Sequence, residues 1–316
     1  MAESNVHYLP DVSPLDLHQS ELVDLVSRFA PEDGLHATQV PGLHLIRASA
    51  PAQRLPTVYE PGICVVVQGR KQASAMGEVL TYDPLHCLVI SVPMPSVGQI
   101  LDATPEKPYL CVRLNIDPRE VGGLILQSDT TAAQAAARAP RGLQTWRVSA
   151  PLLDAVLRLL RLLATPGDLP VLAPMAVREI YYRVLTGELG PRLRELATAD
   201  SHAHRIARAI ELLQRRYAEP VRIEELAGSV HMSASSLHHH FKQVTAMSPL
   251  QFQKQLRLHH ARRFMLIDGL DAAAAGHRVG YESPSQFSRE YRRLFGAPPK
   301  AEIQQVKGLE PATAGR

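Results

Sequence analysis

Cysteine is scarce in this 316-residue chain, and no stretch is long and apolar enough to lie across a bilayer. The three cysteines, Cys64, Cys87 and Cys111, are an odd number without metal-type spacing, which excludes a disulfide scaffold and leaves reduced thiols as the expectation. The most apolar stretch, Pro151 to Ala164, is interrupted at helical spacing by Asp154, Arg158 and Arg161, so no membrane association is expected. Met1 to Pro10 lacks the basic head and apolar run of a secretory signal, and cytoplasmic residence is the expectation.

What is present points to a soluble protein of two domains. A hydrophobic content of 45% with 21% charged residues fits globular folding, and 316 residues exceed one ordinary domain. The charge is unevenly placed. Residues 201–316 hold 17 Lys and Arg against 10 Asp and Glu, whereas residues 1–200 hold 17 against 21. Nine of the 14 histidines also lie in the basic part. A basic domain favours a polyanionic partner, because neutralised phosphates release counterions. A solvated basic surface is the plainer alternative.

The chain divides at about Gly187–Ser201, where Gly187, Gly190 and Pro191 break a helical pattern. Before the break, residues from about 40 to 127 read as short strands. The β-branched run Ile63 to Val67 is bounded by Pro61-Gly62 and Gln68-Gly69, and Leu85 to Val92 and Tyr109 to Ile116 repeat the style. Such spacing predicts a sandwich or barrel. Leu152, Val156, Leu159, Leu160 and Leu163 then mark one helix face, and Val177, Ile180, Tyr181, Val184 and Leu185 a second. These two helices either close the core of the β-unit or supply a dimer interface.

After Ser201 the pattern is helical throughout, and a repeat appears at an offset of 50 residues. It pairs Ser233 with Ser283, Ser235 with Ser285, Leu237 with Phe287, Phe241 with Tyr291, Lys242 with Arg292, Val244 with Leu294, Ser248 with Pro298 and Pro249 with Pro299. Cap, apolar stripe, basic residue and helix-stopping proline recur in register, which predicts two copies of one supersecondary unit. A short helix followed by a capped helix is a helix-turn-helix, whose second helix reads the major groove. Ser233 and Ser283 are the expected caps. The free face of the first reading helix carries Ser235, His238, His239 and Lys242. That of the second carries Ser285, Gln286, Arg289, Arg292 and Arg293. Arg suits guanine, Gln suits adenine, and Ser suits several bases. Between them, a helix over about 249–266 bears Lys254, Arg257, Arg262 and Arg263 and would space the two readers by roughly 34 Å.

These residues resemble the DNA-binding region of the AraC/XylS family of transcription regulators. The resemblance runs from about Arg205 to Pro299 and rests on Met232 to Lys242, on Val279-Gly280-Tyr281-Glu282-Ser283-Pro284-Ser285-Gln286-Phe287-Ser288-Arg289-Glu290-Tyr291, and on Phe295-Gly296. Val58 to Pro61, Val67 to Lys71, Val89 to Pro95 and Pro108 to Leu110 are similar to a subgroup with a cupin-like N-terminal unit. The resemblance implies an α+β protein: an N-terminal cupin-like β-barrel with flanking helices for effector sensing and dimerisation over 1–190, a linker over 191–201, and an all-α domain with two helix-turn-helix units over 202–316. It further implies double-stranded DNA, an unknown small-molecule effector and RNA polymerase as partners, a homodimer, activation as the commoner mode, and no cofactor. Two positions depart from the family pattern. Gly276 stands where a small alanine is usual, which should weaken its helix by about 1 kcal/mol, and the tail after Pro299 lacks a closing arginine.

Other functions compete less well. His238, His239 and His240 are adjacent on a helix and point about 100° apart, so they do not converge on one metal. Arg289 has a plainer reading as a surface charge paired with Glu290 or Glu282. In the β-unit, Cys64, Gln68, Arg70, Lys71 and Cys87 are candidate effector or sensor residues, with Arg70 and Lys71 offering positive charge near Cys64. A metal-dependent cupin enzyme fused to a DNA-binding domain would need a His-x-His pair in the β-unit. None occurs there, and the pair His202-Ala203-His204 lies beyond the domain break. A repair alkyltransferase would need a cysteine in a Pro-Cys context, which Ile63-Cys64-Val65 and His86-Cys87-Leu88 do not supply.

Overall fold

The computed structural model describes residues 14–52, 55–75, 78–84, 86–127, 143–188, 190, 193–194 and 201–309. Apart from residues 193, 194 and 201, the expected linker 191–201 falls outside them. The chain is α+β. Helix α1 (Pro14–Phe29) leads into β1 (Gly34–Ala37), β2 (Leu43–Ala48), β3 (Leu55–Tyr59), β4 (Gly62–Gln68), β5 (Arg70–Ala75), β6 (Glu78–Tyr82), β7 (His86–Ile90), β8 (Met94–Asp102) and β9 (Tyr109–Asn115). Then come α2 (Pro118–Gln127), β10 (Leu143–Arg147), α3 (Ala150–Arg161) and α4 (Leu169–Thr186).

The strands form two antiparallel sheets, one ordered β1-β2-β9-β4-β7-β10 and the other β3-β8-β5-β6. The expected barrel is therefore corrected to a layered pair of sheets that do not close on each other. The reason lies in β4, where Gly62 to Val67 are all buried. A strand buried on both faces belongs to a middle layer. One face of the six-stranded sheet packs Val65, Val67, Val112 and Leu114 under Leu22 and Val26 of α1 and Leu152, Val156 and Leu160 of α3. The other face packs Cys64, Val66 and Cys111 against Ala73, Tyr82 and Met94 of the four-stranded sheet.

One further correction concerns a helix. Residues 118–127 are helical, with Val121 and Leu124 buried three apart on one face. Helix α1 covers the sheet through Leu22 and Val26, one helical turn apart. Helix α3 buries its leucines and turns its charges outward, where Arg161 holds Glu21 of α1 through two hydrogen bonds of 2.6 and 2.7 Å. Arg158 bridges Asp154 and Glu179 of α4. No described helix is long and apolar enough to cross a membrane.

The remaining elements are helical: α5 (His202–Arg215), α6 (Ile223–Ser229), α7 (Ala234–Thr245), α8 (Pro249–Leu266), α9 (Ala272–Arg278), α10 (Pro284–Phe295) and α11 (Pro299–Leu309). Gln214 of α5 donates to Glu60 beyond β3 at 3.0 Å. Beside that bond, a cleft of about 470 Å³ is lined by Val58 from the sheets and His259, His260 and Arg263 from α8.

Candidate nucleic-acid interface

Each reading helix starts where its serine requires. Ser233 adopts extended backbone and its Oγ accepts from the Ser236 amide at 3.2 Å, while Ser283 does the same for Gln286 at 3.3 Å. Both satisfy an amide that the first helical turn leaves without a partner. Asp271 caps α9, and Ser248 with Gln251 forms a reciprocal capping box at the start of α8.

The packed faces follow from the apolar stripes. Leu237, Phe241 and Val244 are buried in the first unit, and Phe287 and Tyr291 in the second. The opposite faces are open. Ser233, Ser235, His238, His239 and Lys242 are exposed on α7. On α10 Ser285, Gln286, Arg289, Arg292 and Arg293 are exposed, and Ser283 is half-buried. His240 turns back, stacking on His202 with ring centroids 3.8 Å apart.

The electrostatics separate the open side chains from the structural ones. Glu290 does not take Arg289 as its partner. It accepts from Tyr281 Oη at 2.8 Å, Lys254 Nζ at 3.0 Å and Gln286 Nε2 at 3.3 Å. Burial disfavours its charge, but these three donors outweigh burial and hold its carboxyl below the usual range. Among the described residues, no carboxylate pairs with Arg289, Arg292 or Arg293. Their charge faces solvent without compensation, which suits a phosphate backbone.

Two arginines of α8 are turned inward. Arg257 donates to the carbonyls of Tyr217 at 2.7 Å, Ala218 at 3.1 Å, Glu219 at 3.0 Å and Gly280 at 3.0 Å. It ties the turn after α5 to the turn of the second unit, and Gln253 adds bonds to Tyr217 and Glu219. Gly280 permits this contact: its φ is +86°, and a Cβ there would lie 2.1 Å from the Ala218 oxygen. Arg262 is buried, pairing with Glu302 at 2.7 Å, and Glu302 in turn accepts from Tyr291 Oη at 2.8 Å. This bond anchors α11, where the family pattern had suggested a missing arginine contact. Gly276 packs its open side against Phe287, whose ring would sit 3.0 Å from an added Cβ. Sequence reasoning identified the charges of Arg257 and Arg262 but not their inward roles, since both depend on carbonyls and a carboxylate far away in the chain.

The sensor candidates are only partly brought together. Cys64 and Lys71 share the space between the sheets. Gln68 donates to the Pro108 carbonyl at 2.8 Å, and Arg70 is an outer residue paired with Asp102 at 2.9 Å. Cys87 stands opposite Val65 and so faces the helices, away from Cys64. Cys111, which sequence reasoning passed over, takes the place beside Cys64.

Comparison with known proteins follows this division. Residues 39–192 match a family described as AraC-type transcriptional regulator N-terminus, and residues 226–305 match a helix-turn-helix domain family. The chain is 30% identical over 104 residues to the HTH-type transcriptional regulator ArgR of Pseudomonas aeruginosa, covering 33% of this chain and 32% of that protein. It is 28% identical over 155 residues to the HTH-type transcriptional activator RhaS of Salmonella schwarzengrund, covering 49% of this chain and 55% of that one. The chain thus spans about half, or less, of the length of these curated relatives. In fold, it is similar to unsaturated fatty acid-bound ToxT from Vibrio cholerae, with a TM-score of 0.53 at 10% identity, covering 85% of this chain and 96% of that one.

Proposed function

The chain belongs to the AraC/XylS family of transcription regulators, and on that premise we propose that it binds specific double-stranded DNA sites and activates transcription in response to a small-molecule effector. The observation that supports this reading is the pair α7 and α10. Two serine-capped helices in one packed body each offer an open polar or basic face, and α8, 18 residues and so about 27 Å long, runs between them. In this reading Arg289 and Gln286 read base edges, Ser235, Ser285, His238 and His239 add contacts, and Lys242, Arg292 and Arg293 hold phosphates.

The sheet unit, residues 1–190, would sense the effector, and residues 202–316 would hold DNA, with 191–201 as the link. Switching requires only that the effector favour one of two states over the other. A homodimer fits the outer side of α4, where Val171, Leu172, Met175 and Tyr182 are 68%, 43%, 64% and 40% exposed. Isolated apolar side chains on a surface are ordinary, but four on one helix favour a partner. Activation entails contact with RNA polymerase, and the reading places the protein in the cytoplasm. The relatives named above are regulators, and stoichiometric iron, manganese or zinc in purified protein would reopen the metal-dependent enzyme reading.

The test is Arg289→Ala. It should cost roughly 1–3 kcal/mol on a selected site and relax preference at one base position. Fluorescence anisotropy against a randomised site library measures both. Equal affinity and equal preference in wild type and variant would remove Arg289 from the reading face.

A further inference from the structure

Between the two sheets lies a polar cluster that the reading helices do not use. In the pairing of β4 with β9, Cys64 stands opposite Arg113 and Val66 opposite Cys111. Opposed residues of an antiparallel pair share a face, as do residues two apart in a strand. Cys64 and Cys111 are therefore diagonal neighbours on one face of adjacent strands, and both line the core between the sheets. Cys87 is on the other face of the same sheet.

The facing sheet supplies a cation. Lys71 of β5 places Nζ 5.4 Å from the centroid of the Tyr59 ring and 5.9 Å from that of Tyr109. Burial works against its ammonium charge, yet Tyr59, Cys111 and Cys64 outweigh burial and keep the lysine above its ordinary value. Lys71 and Tyr59 are half-buried at the rim of the cluster. Cys64 is 8% exposed, Cys111 1% and Cys87 0%, so Cys64 is the most open of the three thiols.

The three thiols differ in character. A hydrogen bond from the Cys111 thiol holds Cys64 below the ordinary thiol range, and the charges of Lys71 and Arg113 act the same way against burial. The same bond, with burial, pushes Cys111 up, and burial alone accounts for most of the rise at Cys87. The Cys111 hydrogen has a second acceptor in the Val112 carbonyl at 3.6 Å. An acidified thiol near a cation, with a second thiol diagonal to it on the next strand, is the arrangement of a reactive cysteine and its resolving partner.

From the placement of these two thiols beside Lys71, we propose that Cys64 and Cys111 are a peroxide-reactive pair that closes to a disulfide, with hydrogen peroxide or a small organic hydroperoxide as substrate. The inference rests on the effector-sensing reading for its consequence in transcription, but not for its chemistry. The Cys64 thiolate attacks one peroxide oxygen, forming an S–O bond as the O–O bond breaks. Lys71 gives a proton to the departing hydroxide or alkoxide, which leaves as water or alcohol. Cys111 then attacks the sulfur of the Cys64 sulfenic acid, forming the S–S bond, and its own proton leaves with the second hydroxide as water. The proton released when Cys64 ionised restores Lys71. The two thiols lose two electrons in total, and the peroxide gains them. A diagonal cross-strand bridge closes across about 7–8 Å between Cα atoms before the strands adjust, so it is strained and correspondingly easy to reduce. The pairing of β4 with β9 is already irregular between Val66 and Gln68, where Gln19 of α1 donates to the Val67 carbonyl at 3.0 Å.

The experiment treats reduced full-length protein with a small excess of hydrogen peroxide, then denatures, alkylates and weighs it. Two of the three thiols should be lost with a mass decrease of two hydrogens, and digestion should yield Cys64 joined to Cys111. Cys87→Ser should leave that bridge unchanged. Cys111→Ser should stop at a Cys64 sulfenic acid that dimedone traps. Because these variants need to fold, the wild type provides its own control. Its Cys64 thiol should react several-fold faster in the native state than in urea, because the Cys111 thiol and the charges of Lys71 and Arg113 favour its thiolate only in the fold. Lys71→Met should abolish that advantage. Native thiols that react no faster than unfolded ones, or Cys87 reacting first, would overturn the proposal. Binding to a DNA fragment selected by the reduced protein is measured on the same samples. A bridge that forms without changing that binding confirms the thiol pair and removes peroxide from the effector reading.

Discussion

The two helix-turn-helix units share a frame and differ in what fills it. Their leading helices, α6 and α9, are both 7 residues long, and their reading helices, α7 and α10, are both 12. The leading helices are offset by 49 residues, Ile223 to Ala272, and the reading helices by 50, Ala234 to Pro284. The second turn therefore holds one more residue: Val279-Gly280-Tyr281-Glu282-Ser283 against Val230-His231-Met232-Ser233. Inside, Phe241 meets Phe252 edge-on at 5.5 Å in the first unit. The same positions in the second are Tyr291 and Glu302, joined by a hydrogen bond and completed by Arg262. Left-handed backbone is carried by His231 and Ala246 in the first unit, and by Gly280 and Gly296 in the second. One geometry is thus reached by an apolar core with strained turns, and by a polar core with relaxed ones.

The polar core is the place to break this comparison most severely. Glu302→Ala should cost about 3–5 kcal/mol, because it leaves Arg262 charged, buried and unpaired. Replacing all three members, as Arg262→Met, Tyr291→Phe and Glu302→Leu, should recover most of that loss by making the second core resemble the first. Urea unfolding of the full chain, followed by hydrogen exchange in α10, measures both. A loss under 1 kcal/mol for Glu302→Ala would mean that the triad does not hold the unit together. Next in size is Gly280→Ala, at roughly 3 kcal/mol from left-handed strain and the clash with Ala218. At the matching turn position, His231→Ala should stay within about 0.5 kcal/mol, because a Cβ is already accommodated there.

Much of this frame was legible in the sequence because its signals are local. Cap, stripe and proline lie within one unit, so the repeat located the caps at Ser233 and Ser283 and the side chains that α7 and α10 leave open. Arg257 and Arg262 were legible only as charges, since their partners stand 23 to 40 residues away. The sheets were harder. Strand positions followed from β-branched runs, but β4 lies between β9 and β7, and the order of strands is set by contacts that no local pattern encodes. For the same reason Cys111 went unnoticed beside Cys64: they come from strands that pair across more than 40 residues. The continuous burial of β4 was, in retrospect, a signal against a barrel, because a strand with water on one side alternates.

The comparison also sharpens at the DNA face, where α7 offers Lys242 and α10 offers Arg289, Arg292 and Arg293. Removing both Arg292 and Arg293 should flatten the slope of log affinity against log salt by about 1.8, and Lys242→Ala by about 0.9, since each lost phosphate contact contributes about 0.9. Titrations at several salt concentrations read the slopes directly. Equal slopes in the two variants would mean that the second helix does not carry the larger electrostatic share.

A smaller effect than that of Gly280→Ala isolates backbone strain from everything else. Ala246 ends α7 at φ +55°, and Gly296 ends α10 at φ +85°. Each amide donates to the carbonyl four residues back, at 2.8 Å in both cases, so the hydrogen bonding is matched. An added Cβ at Gly296 would meet no atom within 4 Å. Packing is thereby removed as a variable, and only the cost of left-handed backbone remains, about 1–2 kcal/mol for a residue with a Cβ. Part of that is offset, because glycine loses more freedom on folding than alanine does. Ala246→Gly should therefore stabilise the protein by about 0.5–1 kcal/mol, and Gly296→Ala should destabilise it by a similar amount. Paired thermal unfolding of the two variants and their double mutant measures both signs. If the two changes had the same sign, the difference between the units would lie in the unfolded chain rather than in the strain of the first turn.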